Sequence, residues 1–162
     1  MMYIYTDGAS RGNGGESAAA FIIVDKDCKE IIRKVRHIGL ATNNMAEYTA
    51  VLDAVQHCYT NVLFASKEEG GCKIISDSAL VINQLKGIWK INNPNLKEIN
   101  RQIKFYIDHI DTVFTYEWVS RSHPIITKCD KMNNGVLNTI KNLVECGHPE
   151  IIPLLNGMDL AH

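Results

Sequence analysis

The chain has 162 residues, 46% hydrophobic and 22% charged, a balance typical of a globular protein with a single domain and a real core. Its formal net charge is −1, so no overall basic field attracts nucleic acid, and contact with a polyanion must be local or mediated by metal ions. No apolar run approaches the ~18 residues of a membrane helix, and the five cysteines include no CxxC pair, so we expect a cytoplasmic protein in a reducing compartment, without membrane association.

The first predicted element is an apolar strand from Tyr3 that ends in Asp7 and is followed by a glycine-rich turn over residues 8–15. Such a run indicates a strand buried on both faces at the centre of a sheet. Asp7 then lies at the carboxyl edge, where open α/β sheets bind ligands. The glycines permit positive φ and leave space for a ligand to approach the backbone, although Asp-Gly after a strand is also an ordinary turn.

Two further strands follow, at residues 18–24 and 28–38, and the short loop between them predicts an antiparallel hairpin. The charged run at residues 33–37 indicates a solvated sheet edge, with a nucleic-acid contact as the alternative. Apolar residues at helical spacing predict a helix at residues 45–59. Asn44 suits its N-cap, and Glu47, three residues later, is either a capping-box residue or a functional acid.

Residues 72–77 repeat the opening pattern, because they form an apolar strand that ends in an acid, Asp77. Strand, helix and strand in this order make a βαβ unit, so the strand is parallel to the first one. Asp7 and Asp77 then lie at the same sheet edge. Asp77 has an alternative role as the N-cap of the helix predicted at residues 78–85.

The rest of the chain predicts a helix from Pro94 or Asn95 to Ile110, a strand at 113–119, a loop at 120–126 and a helix that starts near Thr127. Asp130 lies in the first turn of that last helix, where the helix dipole favours a carboxylate whatever its function. Gly147 and Pro149 end the helix. We therefore expect one domain at residues 1–149 and a tail at 150–162 whose structure the sequence does not predict.

Four acids are thereby placed at one edge of the sheet: Asp7, Glu47, Asp77 and Asp130. Crowded carboxylates repel one another and take up protons unless cations neutralise them. Hard oxygen ligands select Mg²⁺ or Mn²⁺, and two such ions ~4 Å apart serve in-line displacement at a phosphodiester. This chemistry predicts a nuclease, although the spacing alone does not identify the substrate.

Four stretches of the chain give it a resemblance to the ribonuclease H type 1 family, in the form that lacks a basic protrusion. They are residues 5–13 (YTDGASRGN), 42–48 (TNNMAEY), 76–81 (SDSALV) and the segment from Trp118-Val119 through His123-Pro124 to Lys128-Cys129-Asp130. The resemblance covers about residues 2–145. It implies an α/β, RNase H-like fold with a five-stranded mixed sheet in the order 3-2-1-4-5, strand two antiparallel, flanked by helices on both faces.

The resemblance also implies roles for individual residues. Asp7 would bridge two metal ions, Glu47 and Asp77 would complete one site, and Asp130 would complete the other. In the family these ions activate a water and stabilise the leaving 3′ oxygen, which gives 5′-phosphate and 3′-hydroxyl ends.

Contacts with the substrate are implied in the same way. Asn13 and Thr42 match positions that hold a DNA-strand phosphate, and Asn43 and Asn44 match positions near RNA 2′-hydroxyls. The backbone from Gly8 to Ser10 would approach the RNA strand.

The chain departs from the family pattern at several positions. Ala79 replaces a polar residue that touches the substrate in many relatives. His123 matches either a mobile histidine that helps to transfer protons or release product, or a different, structural position. With the basic insertion absent, Lys86, Trp89 and Lys90 are candidates for part of the hybrid binding, and a buried tryptophan is the competing interpretation.

The sequence thus predicts a monomeric, metal-dependent endonuclease, a ribonuclease H that cuts the RNA strand of RNA–DNA hybrids with two Mg²⁺ or Mn²⁺ ions per site. A DNA nuclease or resolvase on the same fold is one alternative, and the Thr42-Asn43-Asn44 segment argues against it. A catalytically weak hybrid-binding module is another, and the presence of all four acids argues against that.

Overall fold

The computed structural model describes residues 1–61, 70–155 and 160. Five strands form one sheet: β1 (Met2–Ser10), β2 (Glu16–Val24), β3 (Glu30–Leu40), β4 (Cys72–Ser76) and β5 (Phe114–Trp118). The helices in the described ranges are α1 (Asn43–Thr60), α2 (Ala79–Leu85), α3 (Pro94–His109), α4 (Pro124–Glu145) and the short α5 (Ile152–Leu155), which follows a 3-10 turn at Pro149–Ile151. No helix in this part of the chain combines the length and apolar character that crossing a membrane requires.

The predicted mixed sheet is confirmed. Its order is β3-β2-β1-β4-β5, with β2 antiparallel to both β1 and β3, and with β4 parallel to both β1 and β5. β1 is the central strand, and its residue Ile4 is completely buried. Because β1 and β4 run in the same direction, their carboxyl ends reach the same edge, as the sequence predicted.

Helices cover both faces of the sheet, and each face has its own core. Successive residues of a strand point to opposite faces, so Ile4 packs with α1, α2 and α3 while Tyr5 packs with α4. The first core includes Ile23, Tyr48, Ile74 and Ile103. The second includes Ile22, Ile75, Ile126 and Leu137.

Two predicted boundaries at the site edge are wrong. β1 does not end at Asp7, because Gly8, Ala9 and Ser10 continue to pair with β2, and the turn begins at Arg11. The last long helix begins at Pro124 rather than near Thr127. Proline has the φ value that a first helical position needs and no N–H to leave unpaired there, so the His123-Pro124 pair starts a helix.

The edge strand β3 is solvated on one side of its pleat only. Arg33 bonds Glu30 and is exposed, whereas Val35 and His37 are buried. Arg36 donates two hydrogen bonds to Asp53 of α1, at 2.7 and 3.0 Å. The charged run therefore contains inward-facing residues that the solvated-edge interpretation missed.

The predicted tail at 150–162 is partly described. It includes α5 and Leu160, whose N–H donates to the carbonyl of Val35 at 2.8 Å, while residues 156–159 and 161–162 lie outside the described ranges. Leu160 thus lies beside the edge strand β3.

Helix α1 lies directly against β1 at Gly8. A Cβ atom at this position would collide with the backbone of Ala46 and Glu47. The helix therefore fills the space on the Cβ side of Gly8. The expected approach of a ligand to the backbone of Gly8 stays a prediction. The contact brings the first turns of α1 next to the end of β1.

We expect Gly8→Ala to destabilise the fold by about 1–3 kcal/mol, because the added methyl group must displace helix backbone. Gly135→Ala is the control, since a Cβ there meets no atom within 4 Å and alanine favours a helix interior by about 1 kcal/mol. Urea unfolding of both variants measures the difference. Equal stability of Gly8→Ala and the wild type would contradict this account of the contact.

Candidate active site

Three acids meet at the predicted edge of the sheet. Asp7 lies on β1, Glu47 on α1, and Asp77 directly follows β4; each offers a carboxylate oxygen, and these oxygens all lie within 4.8 Å of one another. Asp7 is 5% exposed, and the other two are partly buried. The convergence of these three acids follows from the parallel register of β1 and β4 and from the close approach of α1.

Glu47 is not a capping residue. The N-cap of α1 is Thr42 rather than the predicted Asn44, and its side chain accepts a hydrogen bond from the N–H of Met45 at 3.2 Å. This cap places Glu47 at the fifth helical residue, too far along for a capping box. Its carboxylate instead accepts a hydrogen bond from the N–H of Gly8.

Asp77 is not a capping residue either. The N-cap of α2 is Ser78, which accepts from the N–H of Val81 at 3.3 Å, so the N-cap interpretation of Asp77 is wrong. The carbonyl of Asp77 accepts from the indole Nε1 of Trp118 at 3.0 Å. These bonds leave the carboxylate of Asp77 directed to the other acids.

Asp130 lies outside this group of three, but its negative charge contributes to the raised pKa of both Asp7 and Asp77. Because α4 begins at Pro124, Asp130 is its seventh residue and not part of the first turn. The helix dipole therefore does not explain the presence of this acid, and the charge effect indicates that it lies near Asp7 and Asp77.

Asn133 holds Asp7 in place, although its role was not predicted from the sequence. Asn133 is fully buried, and its Nδ2 donates to the carbonyl oxygen and to Oδ2 of Asp7, both at 3.0 Å. A signal was present, since an amide sits in the apolar stripe of this helix three residues after Asp130. Residues at that spacing share one helix face.

Arg121 is a second residue that the sequence analysis missed. Its side chain is 86% exposed, with Nε 4.0 Å from Oδ2 of Asp77. The guanidinium lowers the pKa of all three clustered acids, though less than other effects raise them. It lies in the irregular segment before α4, where no periodic pattern marks a residue as functional.

Burial dominates the electrostatics of the cluster. The pKa of Asp7 is raised to about 7, mainly by loss of solvent and further by neighbouring carboxylates, against a hydrogen bond from Asn133. Burial and the charges of Asp7 and Asp77 raise the pKa of Glu47 well above its ordinary value. The pKa of Asp77 is raised as well, mainly by burial. Without cations, ionisation of the cluster is therefore unfavourable.

The donor set fits a divalent metal ion. Glu47 Oε2 and Asp77 Oδ1 are buried and have no hydrogen-bond partner among the described residues. Buried carboxylate oxygens without partners are costly unless a cation binds them. All the candidate ligands are carboxylate oxygens, which suit Mg²⁺, Mn²⁺ or Ca²⁺ rather than softer metals.

Most of the predicted substrate-binding residues form one connected group beside the acids. The N–H of Ser10 donates to Oδ1 of Asn43 at 3.2 Å, and the N–H of Asn43 donates to Oδ1 of Asn13 at 3.0 Å. Thr42 precedes Asn43 as the helix cap, and Asn44 follows it with an exposed side chain. The structure thus joins the glycine-rich turn to the start of α1, and the proposed contacts with substrate remain predictions.

The segment after α2 is exposed at each of its three predicted binding residues, Lys86, Trp89 and Lys90. Trp89 is 48% exposed, so the interpretation of a buried tryptophan is wrong. The carbonyl of Lys90 accepts from Nε2 of Gln84 at 3.1 Å, which fixes the path of the segment.

His123 is the N-cap of α4. Its Nδ1 accepts from the N–H of Ile125 at 3.2 Å, and its ring stacks on Tyr5 with the centroids 5.0 Å apart. These contacts give His123 a structural role, as one of its two interpretations proposed. Participation in proton transfer or product release stays a prediction.

Comparisons with known proteins agree with this geometry. The family described as RNase H matches residues 1–141 of the chain. Ribonuclease HI of Halobacterium salinarum is 37% identical over 98 residues, which cover 59% of this chain and 45% of that protein. Bifunctional protein Rv2228c of Mycobacterium tuberculosis is 29% identical over 136 residues, 83% of this chain and 35% of that protein. The chain thus spans about a third to a half of the length of these curated relatives.

Solved structures show the same fold. RNase H1 from Halobacterium salinarum has a TM-score of 0.74 and 30% identity, and the match covers 85% of this chain and 98% of that one. LC11-RNase H1, in complex with an RNA/DNA hybrid, has a TM-score of 0.79 and 24% identity, with 87% and 99% covered. The sheet order, the convergent acids and a family match over residues 1–141 lead to one conclusion: this chain belongs to the RNase H family.

Proposed function

We propose that the protein is an endoribonuclease that hydrolyses the RNA strand of RNA–DNA hybrids and leaves 5′-phosphate and 3′-hydroxyl ends. The observation that carries this proposal is the buried group of Asp7, Glu47 and Asp77, with two carboxylate oxygens unpaired among the described residues, in a chain of the RNase H family. A structural neighbour bound to an RNA/DNA hybrid supports the choice of substrate.

The acids divide between two Mg²⁺ ions, with Mn²⁺ as a substitute. Asp7, Glu47 and Asp77 would hold one ion, and Asp130 would help to hold a second. When bound, ions of this kind activate a water and stabilise the charge on the leaving oxygen. Asn133 donates a hydrogen bond to Oδ2 of Asp7 and so helps to fix the rotamer of this acid.

The residues around the glycine-rich turn position the hybrid. We assign the 2′-hydroxyls of the RNA to Asn43 and Asn44, and a DNA-strand phosphate to Asn13 and Thr42. The backbone from Gly8 to Ser10 approaches the RNA strand. Because α1 and β1 are joined through these residues, the sugar contacts and the acids keep a fixed separation.

A panel of labelled substrates tests the function. We expect cleavage of an RNA–DNA hybrid in Mg²⁺ or Mn²⁺, none in chelator, and little or none of duplex RNA or duplex DNA. Asp7→Asn is the matched inactive control. Cleavage of duplex DNA at the rate of the hybrid, or cleavage in chelator, would contradict the proposal.

The acid cluster should make the metal-free protein less stable as the pH rises. The folded-state pKa of Asp7, about 7, lies above its ordinary 3.8, so its stabilising effect is complete below about pH 4 and is lost as the pH rises through about 7. We expect Asp7→Asn to remove this loss. Its free energy of unfolding in chelator should exceed that of the wild type by up to roughly 4 kcal/mol at pH 8, with little difference at pH 4.

Urea titrations at both pH values measure this effect. Asp111→Asn is the control, because Asp111 is exposed and precedes β5, at the other end of the strands from the acids. The stability of this variant should depend on pH as that of the wild type does. A wild-type stability in chelator that is the same at pH 4 and pH 8 would show that the pKa of Asp7 is not raised as described.

Substitution of Asn44 tests the proposed recognition of the RNA 2′-hydroxyl. Thr42 caps the helix and the side chain of Asn44 is exposed, so Asn44→Ala removes no cap and should leave the melting temperature unchanged. Loss of one polar contact of about 1 kcal/mol predicts roughly fivefold slower cleavage of the hybrid. A hybrid with one 2′-deoxynucleotide at the contacted position should be cut equally by the variant and the wild type. A variant that keeps the wild-type preference for that 2′-hydroxyl would refute the assignment.

Lys86 and Lys90 are proposed to bind phosphates of the hybrid through their charges. Each cation that neutralises one phosphate contributes about one unit to the dependence of log affinity on log salt. The double variant Lys86→Ala/Lys90→Ala should therefore bind more weakly, with a flatter salt dependence, in Ca²⁺ to prevent cleavage. An unchanged slope would assign the two lysines to solvated surface.

A further inference from the structure

The turn between β1 and β2 is attached to the helices on both faces of the sheet. On the α1 side Asn13 bonds Asn43, as described above. On the α4 side the Nη2 of Arg11 donates to Oδ1 of Asn134 at 3.2 Å and to Oδ1 of Asn138 at 2.9 Å. The second attachment has no part in the function proposed so far.

The two asparagines belong to a polar strip on α4. Asn134 and Asn138 are four residues apart, and Lys131 and Lys141 continue the same face at a spacing of three residues. Ten residues of helix span about 15 Å, so the strip extends from beside Asp130 across the exposed side of the molecule.

Arg11 is exposed, and no carboxylate among the described residues forms an ion pair with it. The other arginines differ. Arg33, Arg36 and Arg101 each bond a carboxylate at 2.7 Å or closer, and Arg121 faces Asp77 at 4.0 Å. The charge of Arg11 is therefore uncompensated in the described parts of the chain.

The two asparagines orient this charge without neutralising it. Both accept from Nη2, whereas a guanidinium carries five N–H donors, so the Nε and Nη1 donors stay available for another acceptor. Both parallel N–H pairs of a guanidinium include Nη2, so Nε or Nη1 is suited to donate a single charge-assisted hydrogen bond to a phosphate. Neutral amides as the holding groups preserve the full positive charge for that partner.

We propose that Arg11, held by Asn134 and Asn138, binds a backbone phosphate of the nucleic acid at a distance from the cleaved bond. Four residues of extended chain separate it from Asp7 and span at most ~14 Å, which at ~3.4 Å per nucleotide corresponds to a few nucleotides. The proposal rests on the hybrid as substrate and assigns it a contact on the α4 side. The alternative is that the hydrogen bonds among these three residues only stabilise the packing of the turn against α4.

Charge substitutions separate the two accounts. Arg11→Gln can still donate to Asn134 or Asn138 but has no charge, and Arg11→Lys keeps the charge. Lys26→Gln is the matched control, because Lys26 is exposed in the β2–β3 turn, at the other end of the strands from Arg11. Its loss changes the net charge by the same amount. Binding to a fixed hybrid is measured in Ca²⁺ over a range of salt concentrations.

For Arg11→Gln we expect a salt slope about one unit smaller than that of the wild type and several-fold weaker binding at low salt. Arg11→Lys and Lys26→Gln should retain the wild-type slope, and the melting temperature should change little in all three. A salt dependence of binding for Arg11→Gln equal to that of the wild type would overturn the proposal. If that variant also melted at a lower temperature, the contact of Arg11 with Asn134 and Asn138 would be structural only.

A scan with single methylphosphonates identifies the phosphate. Each substitution removes the charge of one phosphate, and at the contacted position the wild type should lose affinity while Arg11→Gln loses none. Absence of any such coupled position overturns the proposal even if wild-type binding is normal. Failure of the wild type to bind the hybrid at all would instead refute the function on which the proposal rests.

Discussion

Burial of several carboxylates at one point is the constraint on which the rest of the site depends. Asp7, Glu47 and Asp77 come from three different elements, and their mutual repulsion opposes the packing that brings them together. The packing prevails because β1 and β4 are held in parallel register by the sheet and because Gly8 lets α1 lie on the strand. The hydrophobic cores on both faces thus hold a charge arrangement that is unfavourable until cations bind it.

The order of the sheet and the meeting of Asp7 with Asp77 were predictable from sequence, because alternating strand and helix patterns leave few topologies open. Glu47 was found through its position near the start of α1, although the predicted cap was wrong by two residues. A shift of two residues in the N-cap decides whether Glu47 is in position to cap the helix or is free to act in the site. Local propensity does not resolve it, since Thr42, Asn43 and Asn44 are all residues that can cap a helix.

Residues that act through tertiary contacts could not be found in the same way. Asn133 is recognisable only when the register of α4 against β1 is known, because an amide in an apolar stripe has many possible partners. Arg121 and Arg11 lie in irregular segments without periodicity, and both would be taken for ordinary surface charge. The start of α4 at Pro124 was missed because His-Pro is compatible with a loop as well as with a capped helix.

The hydrogen bond from Trp118 to Asp77 places a chromophore at the acid cluster. The indole Nε1 lies 3.0 Å from the carbonyl oxygen of Asp77, and the ring is 54% exposed to solvent. Indole emission responds to nearby charge and polarity, so occupation of the cluster by cations changes the environment that this ring reports. The chain has two tryptophans, and replacement of Trp89 by phenylalanine leaves Trp118 as a single intrinsic fluorophore for following ion binding without a label.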